Sequence, residues 1–236
     1  GEVPWQAAVP ALLSQLVANE VIVVRVIAEH FTKDALAFSG QVAVGWLSLA
    51  KLLAACDTPD LASALIELGA IRVATGLMER GASEAAIQLA GVEAMSALVG
   101  NRWAGLQSFA ECGGIQRIEA AMQRHPKDTV LQTKSIRALA SGVLWPPEVQ
   151  EKASYAASRA VDLTKSAMSK HEECLELQQA ALEALSKYLD KPQCVAEVAA
   201  GGGEGLVKVT MVRHPEDAKI QQWGRRVLDG LGVDPK

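Results

Sequence analysis

Apolar and polar positions along the chain recur together at intervals of a little over forty residues. The segment Met122-Gln123-Arg124-His125-Pro126-Lys127-Asp128 returns as Met211-Val212-Arg213-His214-Pro215-Glu216-Asp217, each followed at the same distance by a glutamine, Gln132 and Gln221. The same register finds Met168, Lys170, His171 and Gln178 in a third unit, and Met78, Arg80, Gly81 and Gln88 in a fourth. Steps between successive glutamines are 44, 46 and 43 residues, a spacing typical of helical repeat units. A further step of 46 residues back reaches Val42, where Gly45, Leu49 and Leu52 continue the pattern more faintly.

After each glutamine the period is helical. Small residues stand three positions on (Gly91, Ser135, Ala181, Gly224) and large apolar ones seven on (Met95, Leu139, Leu185, Leu228), which predicts one buried stripe on a long helix. The His-Pro-x-Asp segment predicts the start of that helix, with proline in its first turn and Glu84, Asp128 and Asp217 at the positive end of its dipole. Arg80, Arg124, Lys170 and Arg213 then fall at the negative end of the preceding helix. Glycines at Cys112-Gly113-Gly114-Ile115, at Ala200-Gly201-Gly202-Gly203 and, more weakly, at Leu68-Gly69-Ala70-Ile71 predict a sharp turn between a short first and a medium second helix. The unit is therefore three helices, short, medium and long. No stretch alternates long enough to predict a half-buried strand; Val21 to Ile27 is β-branched but sits in a helical-period context.

Composition narrows the function classes. The 236 residues are half hydrophobic and 21% charged, enough apolar material for a continuous core. A net charge of -4 supplies no general basic field, so nucleic acid is not an expected partner. Cys56, Cys112, Cys174 and Cys194 form no CxxC pair, which suggests free thiols in a reducing compartment rather than a zinc ribbon or redox site. The uncharged runs Val3 to Asn19 and Ala35 to Ala50 are broken by Pro4 and Pro10 and by Gly40, Gln41 and Gly45, so neither is expected to span a membrane. The chain starts at Gly1 without methionine, and a native N-terminus carrying an acylation signal could precede it. The 236 residues alone are expected to be soluble and to bind lipid weakly.

Sites for chemistry are scarce. Gly201-Gly202-Gly203-Glu204-Gly205 lacks the lysine and Ser/Thr of a phosphate loop and reads as an inter-helix turn. His171 and Cys174 lie three apart, the spacing of two metal ligands on one helix face, but no further ligand lies near in sequence and His171 occupies the slot of His125 and His214. One methionine per unit reads as core filler. No cysteine has a base and an oxyanion site around it, so neither catalysis nor a cofactor or metal is expected.

The three-helix unit, the Gly-Gly turn and the third helix with its recurring glutamine and leucine resemble the armadillo repeat family. The likeness covers residues 58 to 231 well and 3 to 57 loosely. It implies an all-α fold, a right-handed α-solenoid of about five units forming a single domain over residues 1–236, with an irregular first unit 1–57 and clearer units near 58–101, 102–145, 146–190 and 191–236. Peptide-binding armadillo proteins carry an asparagine ladder on the concave side of the third helix, whose amides clamp an extended peptide backbone. Nine residues after each glutamine, or Val42, stand Lys51, Ala97, Ser141, Lys187 and Gly230; five after stand Leu47, Glu93, Arg137, Glu183 and Arg226. None is asparagine. A transport-type receptor for an extended targeting peptide is therefore the second choice. The first is a non-enzymatic, monomeric adaptor whose mixed-sign surface, Glu93, Arg137, Glu183, Lys187 and Arg226, selects a folded or helical protein by charge. Trp103 and Trp145, each near the end of a third helix and beside Arg102 and Pro146-Pro147 respectively, are the best aromatic anchors.

A chain built only of such repeats, with His-Pro turns, also resembles the armadillo-repeats-only proteins of apicomplexans. That resemblance implies an N-terminally acylated adaptor on the cytosolic face of a secretory organelle, the rhoptry, linked to a myosin motor and other proteins.

Overall fold

Glycine decides where the helices break. In the computed structural model, which describes residues 39–55, 59–100, 102–142 and 150–233, Gly69, Gly113 and Gly202 hold φ of 82°, 67° and 80°. This left-handed backbone costs any other residue steric strain. All three stand nineteen residues before a register glutamine, and each separates a short helix from a medium one. In the third unit the same slot holds Arg159, and no break occurs.

The described helices are α1 (Gly40–Ala54), α2 (Pro59–Glu67), α3 (Ala70–Arg80), α4 (Ala85–Val99), α5 (Trp103–Glu111), α6 (Gly114–Arg124), α7 (Thr129–Gly142), α8 (Gln150–Lys170), α9 (Leu175–Tyr188), α10 (Pro192–Ala199), α11 (Gly203–Arg213) and α12 (Ala218–Gly230), with one 3-10 turn at Ala200–Gly202. No strand occurs among the described residues. The fold is all-α. Short, medium and long helices follow one another as α2–α3–α4, α5–α6–α7 and α10–α11–α12, whereas the 21-residue α8 runs through the first two places of its unit before α9.

The chain divides into two compact units, Gly1–Arg124 and His125–Lys236. In the first, α1 packs along α4, α2 against α5, and α3 against α6. In the second, α7, α9 and α12 pack successively, and α8 covers both α10 and α11. Like helix thus lies on like within each unit, because each carries the same apolar stripe in the same register. The stripe falls as expected: Met95, Leu139, Leu185 and Leu228 are all fully buried.

The buried positions move the faint first register by one residue. Val42 is 58% exposed, while Ala43, Trp46, Leu47, Ala50, Leu53 and Ala54 are buried, the same spacing as Gln88, Gly91, Val92, Met95, Leu98 and Val99 in α4. Ala43, not Val42, takes the glutamine's place. With no polar residue to fix the phase, the apolar residues of α1 fit either frame.

Candidate functional site

The signature glutamine has a structural task. In Gln178, Nε2 donates to the carbonyls of Met168 and His171 at 2.9 and 3.0 Å. Gln88 bonds Met78 and Gly81, and Gln221 bonds Met211 and His214, in the same way. Gln132 reaches His125 at 3.2 Å. The amides of Gln88, Gln178 and Gln221 each satisfy a carbonyl near the end of the preceding helix and one in the turn beyond it, and Gln132 satisfies the turn carbonyl, groups that have no partner within the helix. The methionine slot has a matching cause. A Cβ on Gly91 would run into Met78, and one on Gly224 would come within 2.5 Å of the Met211 sulfur. The small residue three past the glutamine makes room for the thioether, and Met78, Met122 and Met168 are buried there.

The His-Pro-x-Asp turn differs from expectation in one respect. Pro126 and Pro215 lie in the turn before the helix, not in its first turn. Asp128 and Asp217 themselves cap α7 and α12, accepting from Leu131 N at 3.0 Å and Ile220 N at 2.9 Å. An aspartate cap must leave helical backbone just before N1, which pushes the proline outside. The backbone bond from Ile220, with a further one from Gln179 Nε2 at 2.8 Å, holds the Asp217 carboxyl below its ordinary range. Arg80, Arg124, Lys170 and Arg213 end their helices as expected.

The charged residues chosen as partner contacts lie on the long helices, and each has a neighbour of opposite sign. In the first unit, Glu93 on α4 meets Lys51 of α1 at 2.8 Å. In the second, Arg137 on α7 meets Glu176 of α9 at 3.4 Å, Glu183 and Lys187 pair within α9 at 2.8 Å, and Arg226 on α12 meets Asp190 at 3.4 Å. Arg226 also lies 5.7 Å from the centroid of the Trp223 ring. Arg137, Arg226 and their acids are well exposed, so their pairs are weak and readily exchanged for a partner's charges. Leu47, five residues after Val42, is fully buried and belongs to the core.

Of the aromatic anchors, Trp103 is the first residue of α5 rather than the end of α4, and it is 48% exposed. Arg102 beside it donates to the carbonyls of Ala97 and Ala54, at 3.1 and 3.3 Å, so its guanidinium ties the ends of α4 and α1 together. Trp145 lies outside the described residues. Cys174 sits at the N-cap of α9 and the His171 carbonyl serves Gln178; no group of three metal-ligating side chains occurs among the described residues. Sequence reasoning passed over Val209 and Val212 of α11, 52% and 80% exposed, although two valines three apart on a helix that is apolar on both sides were visible. Val209 borders an open groove of about 440 Å³ between α8 and α11, together with Lys165, Ser169, Gly202 and Leu206. The Lys165 ammonium is occupied by the carbonyls of Glu197 and Ala200. Among the described residues no single helix is long and apolar enough to cross a membrane; α2 and α3 suffice only together, and they are bent by 62°.

Comparison with known proteins yields the fold and no more. No family model matches the chain, and no curated protein matches it. Among solved structures, the chain is similar to the crystal structure of an engineered protein from the Northeast Structural Genomics Consortium, with a TM-score of 0.62 at 14% identity over 94% of this chain and 96% of that one. This chain shares with that protein a helical fold.

Proposed function

We propose that the chain is a non-enzymatic protein-binding adaptor, built as a right-handed α-solenoid of about five armadillo-type units. The observation that carries the reading is the packing of like helix on like, which within each compact unit repeats one surface while side chains at its equivalent exposed positions differ in charge. Such a surface recognises a partner by the order of its charges and steers its approach. On the second compact unit the proposed contacts are Arg137, Glu183, Lys187 and Arg226, and on the first Glu93. Trp103, with its ring half in solvent, and Trp145 are the aromatic anchors.

Isolation of the native protein from its source under mild conditions tests the reading. An adaptor is recovered with a protein partner in stoichiometric amount, and recovery of the free chain under conditions that preserve other complexes counts against it. The resemblance to armadillo-repeats-only proteins proposes a myosin motor as that partner and the cytosolic face of the rhoptry as the place, reached through N-terminal acylation.

A further inference from the structure

Taken in register, the repeats place an acid against the end of the next medium helix at one of three junctions, Glu173 with Arg213; the other two carry Ser83 with Arg124 and Lys127 with Lys170. Five residues before each glutamine, the turn into the long helix carries Ser83, Lys127, Glu173 or Glu216; eight before it, the medium helix ends in Arg80, Arg124, Lys170 or Arg213. In the second compact unit Glu173 Oε1 lies 3.3 Å from Nη1 of Arg213, and the carboxylate of Glu172 holds the same guanidinium. The equivalent pair in the first compact unit is Ser83 with Arg124, and Ala82 stands where Glu172 does. The helices meet alike, α3 on α6 as α8 on α11, and Glu79 of α3 reaches Arg117 of α6 at 3.1 Å. Arg124 is therefore exposed at the end of α6, and no carboxylate pairs with it among the described residues.

Ser83 is exposed in the turn Gly81–Ser83, and Arg80 stands three residues before it. An arginine at that distance is what the acidic substrate groove of an arginine-directed kinase recognises, and a turn offers the hydroxyl more openly than a helix would. We propose that Ser83 is a phosphorylation site and that its phosphate occupies, at Arg124, the place Glu173 occupies at Arg213. The Ser83 hydroxyl oxygen attacks the γ-phosphorus of ATP, the bond to the bridging oxygen breaks, ADP leaves, and the hydroxyl proton passes through the kinase's base to water. The phosphate brings nearly two negative charges and three acceptor oxygens, which suit the fork of a guanidinium. Glu84 beside it adds a like charge, as Glu172 does beside Glu173, where one arginine holds both acids.

The test is to incubate the purified chain with ATP and a Ser/Thr kinase of arginine-at-minus-three preference, map the phosphate by mass spectrometry, and compare melting temperatures. Phosphate is expected at Ser83, absent in Ser83→Ala and slowed in Arg80→Ala. At low salt it should raise Tm by about 2 °C. That gain should vanish in Arg124→Ala and fade by about 0.5 M salt. Ser83→Glu should show a smaller gain with the same dependence on Arg124. A folded chain left unmodified at Ser83 under conditions that phosphorylate a peptide spanning residues 76–90 overturns the site. An equal gain in Arg124→Ala overturns the pairing.

Discussion

Buried polar side chains set the repeat's register at the residue scale, and their removal should be felt more than that of the surface charges. Gln178 is almost wholly buried, donates to two carbonyls and accepts from Thr210 Oγ1 at 3.2 Å. Gln178→Leu keeps the volume, strands both carbonyls while Thr210 Oγ1 keeps its bond to the Leu206 carbonyl at 2.9 Å, and should cost about 2–3 kcal/mol in urea unfolding. Asp217 offers a test by pH. Its carboxyl titrates lower in the folded chain than its ordinary value of 3.8, so the cap's contribution is complete above that value and is lost as pH falls through the folded one. The Tm difference between the parent and Asp217→Ala should hold steady above about pH 5 and shrink below about pH 4. Asp217→Asn caps without titrating and should show no such loss. The glutamine's recurrence was legible in the sequence, but its purpose was not. A side chain that bonds carbonyls ten and seven residues earlier leaves no trace in hydrophobic period, and where that polar marker is missing the spacing pointed to Val42, one residue short of the buried Ala43.

Helix boundaries were legible at the scale of elements wherever glycine marked them. The left-handed turns at Gly113 and Gly202 followed from paired glycines, and the weaker Gly69 signal marks the same turn. What stayed hidden was the consequence of Arg159 in the third unit, since the absence of a breaker is quieter than its presence. A Cβ at Gly202 would meet nothing within 4 Å, so Gly202→Ala isolates backbone strain and should destabilise the chain by about 1–2 kcal/mol. Arg159→Gly, in the middle of α8, should cost about 1 kcal/mol through lost helix propensity. It should also hasten amide exchange around residues 159–163, and unchanged protection there would show that tertiary packing alone holds α8 together.

For the whole molecule, sequence period and composition anticipated an all-helical chain, while the proposed partner surface was named only as a set of positions. Spacing placed Arg137, Glu183 and Arg226 on the long helices, yet it could not reveal that Glu176, Lys187 and Asp190 answer their charges, because two of these three partners come from outside the aligned slots. Nor could it reveal that Arg102 is spent on two carbonyls. These exposed pairs contribute little to stability, so a change of sign there separates binding from folding. The most direct test of the adaptor reading is capture of the native partner by the chain carrying Arg137→Glu and Arg226→Glu together. A Tm within about 2 °C of the parent and a clear loss of capture are expected. Full capture by this variant, with loss on Trp103→Ala instead, would contradict the assignment of binding to the charged faces of the long helices.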